Sequence, residues 1–230
     1  MLEVIDLTVE YADGARVIED VCFSIAAGER VALIGANGAG KTTLLLALVG
    51  VLKTVSGKIN ADGTTLSKKT LSEIREKIGL VFQNPDDQLF MPTIFDDAAF
   101  GPRNSGCDEA ETAERVNAAL SRLGISRLAH RSPLKLSGGE KRMAAIASVL
   151  TMRPEYILFD EPTAFLDPRA RRGLAAFLLD LPQGKLIATH DLVFAESICT
   201  RALLLQNGKI VADGDVGLLR DAAVMESAGL

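Results

Sequence analysis

The sequence has no apolar run long enough to cross a bilayer. Its longest, residues 44–52, contains Gly50 and falls well short of the roughly 20 residues that a spanning helix needs. An excess of positive charge is also missing. Against 25 Lys and Arg stand 30 Asp and Glu, a net charge of -5, which gives no general attraction to nucleic acid or to an anionic lipid surface. The chain begins Met1-Leu2-Glu3-Val4, acidic and strand-like, without the basic stretch and cleavage site of a secretory leader. The expectation is a protein that stays in the cytoplasm. Cys22, Cys107 and Cys199 are odd in number and widely spaced, with no CxxC pair, so neither a disulfide framework nor a cysteine-built zinc site is indicated. Internal repeats and low-complexity tracts are absent as well.

What is present is a chain of 230 residues, 48% of them hydrophobic, enough for one sizeable core. Short β-branched runs alternate with helical patterns, as in a sheet with crossover helices. Residues 3–7, 21–25 and 30–34 read as strands, the last running into a glycine-rich turn, and residues 41–49 read as a helix. Residues 58–62, followed by Gly63, read as part of an edge hairpin, and residues 78–82 as a buried strand. Strand signals then stop between Asn84 and Leu136. Within that stretch Ala110, Ala113, Val116, Ala119, Leu120 and Leu123 recur at helical spacing, which predicts a helical insert. The α/β pattern resumes with a helix over 139–152, strands over 156–159 and 185–189, and a hairpin turning on Asn207-Gly208, a pair suited to two positive φ values.

Three sites carry chemistry. Gly35-Ala36-Asn37-Gly38-Ala39-Gly40-Lys41-Thr42 fits G-x4-G-K-[ST] between a buried strand and a helix. Its glycines let successive N–H groups turn toward phosphates, and the helix start adds partial positive charge. Lys41 is expected to bridge the β and γ phosphates, Thr42 to hold Mg²⁺ and Thr43 to reach the α phosphate. The apolar strand Tyr156-Ile157-Leu158-Phe159 ends in Asp160 and Glu161, at the end of an α/β sheet that opens on the ligand crevice. Asp160 is placed for Mg²⁺, and Glu161 for orienting and deprotonating the attacking water. Leu136-Ser137-Gly138-Gly139-Glu140 forms a second anion site at a helix start, more than one phosphate needs from one chain.

These residues together resemble the ATP-binding cassette family, and the resemblance covers essentially the whole chain. It implies an α/β P-loop NTPase fold with a mixed-sheet core, an antiparallel β subdomain and an inserted α-helical subdomain. One domain is expected over 1–230, with core and β subdomain at about 1–83 and 154–230 and the helical signature subdomain at about 84–153. It also implies a head-to-tail dimer in which Ser137, Gly138 and Gly139 bind the γ-phosphate of ATP held by Asn37, Gly38, Gly40, Lys41, Thr42 and Thr43 of the partner chain. Tyr11 sits where the family stacks an aromatic on adenine. Gln83 resembles the Q-loop glutamine, a Mg²⁺ or lytic-water contact, and His190 the switch histidine. The catalytic set is then Glu161, His190 and Gln83, the Mg²⁺ set Thr42, Gln83 and Asp160, and Asp167 belongs to the interface loop. Two positions depart from the pattern: Phe165 stands where Ala or Gly is common, and Met143 where an arginine is usual, with Arg142 beside it. His130 has no such context.

The stretch from Phe82 to Phe90, with Asp96-Asp97-Ala98-Ala99-Phe100-Gly101-Pro102, is similar to the ATPases of energy-coupling-factor importers of cobalt, nickel or vitamins. That likeness implies an ATPase at the cytoplasmic face of the inner membrane. Its partners would be a second ATPase chain, identical or related, a transmembrane subunit met through the Q-loop and a short acidic helix at Asp86, Asp87 and Gln88, and a separate membrane substrate-binding subunit. Nucleic acid is not among them. Cobalt or nickel is the first expected cargo and biotin the second. The alternatives are a soluble, non-transport ABC protein and a small-molecule kinase, although the latter leaves the Ser-Gly-Gly turn unused.

Overall fold

Two sheets divide the strands. In the computed structural model, which describes residues 1–227 and 229–230, the elements run in this order: β1 (Leu2–Glu10), β2 (Arg16–Ile25), β3 (Arg30–Ile34), α1 (Lys41–Leu48), β4 (Thr54–Ala61), β5 (Thr64–Thr65), α2 (Leu71–Lys77), β6 (Ile78–Val81), α3 (Ile94–Asn104), α4 (Glu109–Arg122), α5 (Gly138–Leu150), β7 (Tyr156–Asp160), α6 (Pro168–Asp180), β8 (Gly184–Thr189), α7 (Leu192–Ile198), β9 (Arg201–Gln206), β10 (Lys209–Asp215) and α8 (Ala222–Ser227). One sheet is antiparallel with order β2-β1-β4-β5, and the other is mixed with order β10-β9-β3-β8-β7-β6. Within the mixed sheet β9, β3, β8, β7 and β6 are parallel to their neighbours, and β10 returns antiparallel on β9.

Burial explains the sequence patterns. β7 and β8 are buried at every residue, as expected of parallel strands covered on both faces, and they read as continuous apolar runs. Edge strand β10 instead alternates exposed with half-buried, and its hairpin turns on Asn207 (φ 47°) and Gly208 (φ 77°). β1 is longer than residues 3–7 because it bulges: Asp6 sits at φ 46° and the pairing register shifts there on both flanks. Past that point Leu7, Thr8 and Val9 are consecutively buried, so the alternation that marks a strand is lost.

One core cluster lies between the sheets around α1, with Leu44, Leu45 and Leu48 wholly buried, and a second backs the mixed sheet with Phe159, Leu174 and Phe194. Each such side chain stabilises the fold by about 1.5–3 kcal/mol. A third cluster, with Ile94, Val116, Leu120 and Ala144, joins α3, α4 and α5, in the stretch where the sequence lost its strand signals. Helix α3 contains Pro102, which cannot donate to the carbonyl of Ala98. The hydroxyl of Thr151 donates to that oxygen instead, at 2.8 Å. Among the described residues no helix is long and apolar enough to cross a membrane.

Candidate active site

The first cleft opens at the carboxyl ends of β3, β7 and β8. Immediately after β3 the chain passes so close to β9 that a Cβ on Gly35 would lie 2.4 Å from the Leu205 carbonyl oxygen. Only glycine fits there. Gly40 precedes α1 at φ 106°, in the left-handed region that favours glycine. Helix α1 starts with no side-chain cap and no acid in its first turn, which leaves its partial positive charge to an anion.

Lys41 is buried at 7% exposure, and its ammonium donates to the carbonyls of Gly35 at 2.6 Å and Ala36 at 3.2 Å. It lies 3.9 Å from Glu161 Oε1. Burial draws its pKa down, opposed by the charges of Glu161 and Asp160. Asp160 accepts the Thr42 hydroxyl on Oδ2 at 2.7 Å, while its buried Oδ1 has no partner among the described residues. Burial pushes this carboxyl up, against the Thr42 hydrogen bond. A buried anionic oxygen with no donor suits a divalent cation, and a hydroxyl beside a single carboxylate is the sparse protein set with which Mg²⁺ joins nucleotide phosphates. The residues therefore fit Mg²⁺.

Glu161 is fixed from several directions. Its Oε2 accepts the Thr189 hydroxyl at 3.0 Å, and its Oε1 accepts the His190 N–H at 3.1 Å and lies 2.9 Å from His190 Nδ1. Its backbone takes φ 41° while its N–H still donates to the Ala188 carbonyl at 2.8 Å. Holding a non-glycine residue there costs on the order of 1 kcal/mol, and such strain gathers at functional sites. His190 itself is exposed, so one face of the pair reaches solvent.

The cleft, 580 Å³ in volume, brings together Tyr11, Asn37, Gly38, Gly40, Lys41, Thr42, Thr43, Gln83, Asp160, Glu161 and His190. Tyr11 is half-exposed, with its hydroxyl 2.7 Å from Thr43 Oγ1. Val17 also lines the cleft, and nothing in its β-branched setting distinguished it from a core strand residue. Ser137, Gly138, Gly139 and Asp167 are not part of this cleft. They line a second one of 810 Å³, together with Glu140, Met143 and Phe165. There Ser137 caps α5 in a reciprocal box with Glu140. Asp167 accepts the N–H groups of Arg169 and Ala170, both at 2.8 Å, as the cap of α6.

Sequence reasoning undervalued the link between these clefts. Arg142 is 1% exposed, and its guanidinium donates to the carbonyls of Phe82 and Gln83, each at 2.6 Å. Burial lowers its pKa to about 10, with Asp160 opposing. The signal was available, because 142, 145, 146 and 149 fall on one helical face and the other three are apolar and buried. The segment from Asn84 to Gln88 is less open than the sequence suggested. A single 3-10 turn forms over Pro85–Asp87, but Asp86 pairs with Lys141 at 2.6 Å. Gln88 turns inward, accepting the Phe82 N–H and donating to the Ala145 carbonyl and Ser148. Asp87 is left facing solvent.

Fold and first cleft define a P-loop ATPase of mixed α/β architecture. The family described as ABC transporter matches residues 18–164, and the chain belongs to it, as an ATP-binding and ATP-hydrolysing ABC subunit. It is 43% identical over 236 residues to the energy-coupling factor transporter ATP-binding protein EcfA of Methanothermobacter thermautotrophicus, covering 100% of this chain and 76% of that one. The structure of cbiO1 from Clostridium perfringens, part of the ABC transporter complex cbiONQ, superposes with TM-score 0.86 at 35% identity, covering 97% of this chain and 92% of that one. The ATP-binding cassette MJ0796, a dimer in a post-hydrolysis state bound to ADP and Pi, superposes with TM-score 0.83 at 26% identity over 94% of this chain and 99% of that one. ABC ATPases of this kind dimerise and work with membrane components.

Proposed function

We propose that this chain is the ATPase of an energy-coupling-factor importer, in which two ATPases close head to tail on two ATP molecules. One observation carries the reading. The residues suited to gripping a triphosphate and the residues of the Ser-Gly-Gly turn occupy separate clefts of one chain, so a complete site requires the turn of a second chain. Lys41 then leaves the Gly35 and Ala36 carbonyls for the β and γ phosphates, and the N–H groups of the loop and α1 take the remaining oxygens. Thr42, Asp160 and Gln83 would hold Mg²⁺, which when bound would supply charge neutralisation at the transferring phosphoryl group.

Glu161, steadied by Thr189 and His190, accepts the proton of the attacking water, which keeps the water in line with the γ phosphorus. His190 moves to the γ-phosphate as the partner's Ser-Gly-Gly turn closes. Release of phosphate removes the contacts that bridged the chains, and the pair opens. Tyr11 stacks on adenine, a motion that exchanges its bond to Thr43 for the base. Asp167 faces the second chain while capping α6.

We divide the chain into a core with its β subdomain, about 1–83 and 154–230, and a helical lobe at about 84–153. The lobe carries the Gln83 loop with it through Arg142, Lys141 and Gln88. Exposed Phe90 and Phe100, packed edge to face with centroids 5.2 Å apart, and Asp87 make an apolar and acidic surface suited to a transmembrane subunit. The protein is accordingly peripheral, on the cytoplasmic face of the inner membrane. Its cargo is cobalt or nickel in our first reading and biotin in the second, selected by a membrane subunit. Uptake of cobalt, nickel and biotin in a deletion strain, with copurification of small apolar subunits, tests this. Unchanged uptake of all three together with no membrane partner would remove the transport assignment.

A further inference from the structure

The turn between β7 and α6 carries a residue whose conformation and exposure this chemistry leaves unexplained. The Leu166 N–H donates to the Thr163 carbonyl at 3.2 Å, closing a four-residue turn with Phe165 in its third place at φ 63°. A positive φ at that place favours glycine, which has no Cβ to strain. The side chain adds a second cost, because 85% of Phe165 is open to solvent. The other exposed aromatics each have a partner within the fold: Phe90 and Phe100 pack on one another, and Tyr11 meets Thr43. Among the described residues no ring or cation contact involves Phe165.

Its location indicates what offsets the exposure. Phe165 lines the cleft that holds Ser137, Gly138 and Asp167, and also the smaller adjoining cleft with Asn84, Lys141 and Arg142. Its backbone carbonyl lies 3.7 Å from where a Cβ on Gly138 would stand. The ring therefore projects from the surface that the head-to-tail arrangement assigns to the partner, continuous with the Ser-Gly-Gly turn.

We propose that Phe165 is an interface anchor, covered by a second copy of this chain when two chains close on ATP. The inference rests on the head-to-tail reading and adds a residue to it. The strained turn holds the ring outward in the single chain, so little ordering remains to be done at closure. Burying the ring then adds affinity to the nucleotide-bound pair alone. Because the strain is set within each chain and the gain arises only in the pair, one substitution moves fold stability and dimer affinity in opposite directions.

The test compares three proteins with Mg²⁺-ATP by sedimentation: Glu161→Gln, which the proposed mechanism expects to hold the ATP-bound pair together, and the same chain with Phe165→Gly or Phe165→Tyr added. The melting temperature of each is measured without nucleotide. Phe165→Gly is expected to melt at the same or a higher temperature and to weaken the ATP-bound dimer by about tenfold to a hundredfold. Phe165→Tyr, which keeps the ring, is expected to dimerise within about threefold of the parent. An equal or tighter dimer with Phe165→Gly overturns the anchor and leaves the head-to-tail reading standing. A lower melting temperature for Phe165→Gly overturns it as well, since the ring would then be packed within one chain. Unchanged dimerisation with loss of copurifying membrane subunits assigns the ring to another occupant and also overturns it. A Glu161→Gln parent that stays a monomer with ATP overturns both the anchor and the arrangement beneath it.

Discussion

The two clefts are both built at the start of a helix, and they differ in almost everything else. In the first, Lys41, Asp160 and Glu161 are buried and joined through Thr42, Thr189 and His190, with charges near enough to shift one another. In the second, Ser137 and Gly138 are exposed, and both carboxylates that line it are already engaged, Glu140 by the Ser137 N–H and Arg127 and Asp167 by the N–H groups of Arg169 and Ala170. The buried charges are thus concentrated on one side, while the other offers a helix start, a hydroxyl and two carboxylates already engaged. On the function proposed above, the first cleft grips and activates and the second completes, so that hydrolysis would depend on two chains meeting.

If the first cleft alone holds the base, Glu161→Gln lowers steady-state phosphate release by about 10²- to 10⁴-fold and leaves ATP binding in place. Undiminished turnover would move the base elsewhere. The link between clefts is tested by Arg142→Met. Losing two charge-assisted bonds to the Gln83 segment, offset in part by relief of a buried charge, costs about 2 kcal/mol of stability. In the folded fraction kcat is expected to fall more than KM rises, because the loss falls on the placement of Gln83. An equal fall in binding and turnover would mean that Arg142 serves stability only.

The smallest effect concerns the strain stored in the first cleft. Burial raises the Asp160 carboxyl above its ordinary value, so the native state binds that proton more tightly than the unfolded chain does. Its contribution to stability is full at low pH and is lost as pH rises through the folded carboxyl's titration. Asp160→Asn is therefore expected to stabilise the nucleotide-free protein by about 1 kcal/mol at neutral pH, seen as a higher melting temperature, while Mg²⁺-dependent hydrolysis falls. Destabilisation by that substitution would mean that Oδ1 is satisfied without a cation.

What could be read from residue order was chemistry that sits within a few residues. The phosphate loop, the strand ending in Asp160 and Glu161, and the Asn207-Gly208 turn are local patterns, and the structure places each at the element end where its spacing put it. Contacts between distant segments left no such mark. Arg142 reaches Phe82 and Gln83 across 60 and 59 residues, and the sequence suggested only that it stood beside a variant position. Helix α3 was obscured by Pro102, whose orphaned carbonyl acceptor is satisfied by Thr151 from α5's end. Helix α6 does carry a local mark, since Asp167-Pro168 is a cap followed by proline at the first helical position. The bulge at Asp6 hid the far half of β1. For α3 and β1, contacts with other segments compensate for a local feature that, taken alone, argues against the element.

The shared site is tested most directly by an ATP analogue with a photoreactive group on its γ-phosphate. It is irradiated in a mixture of Glu161→Gln chains and size-tagged Lys41→Ala chains, the latter unable to hold nucleotide in their own cradle. The account predicts label on residues 137–139 of the Lys41→Ala chain. Label confined to the cradle of the Glu161→Gln chain, with none transferred to its partner, would contradict it.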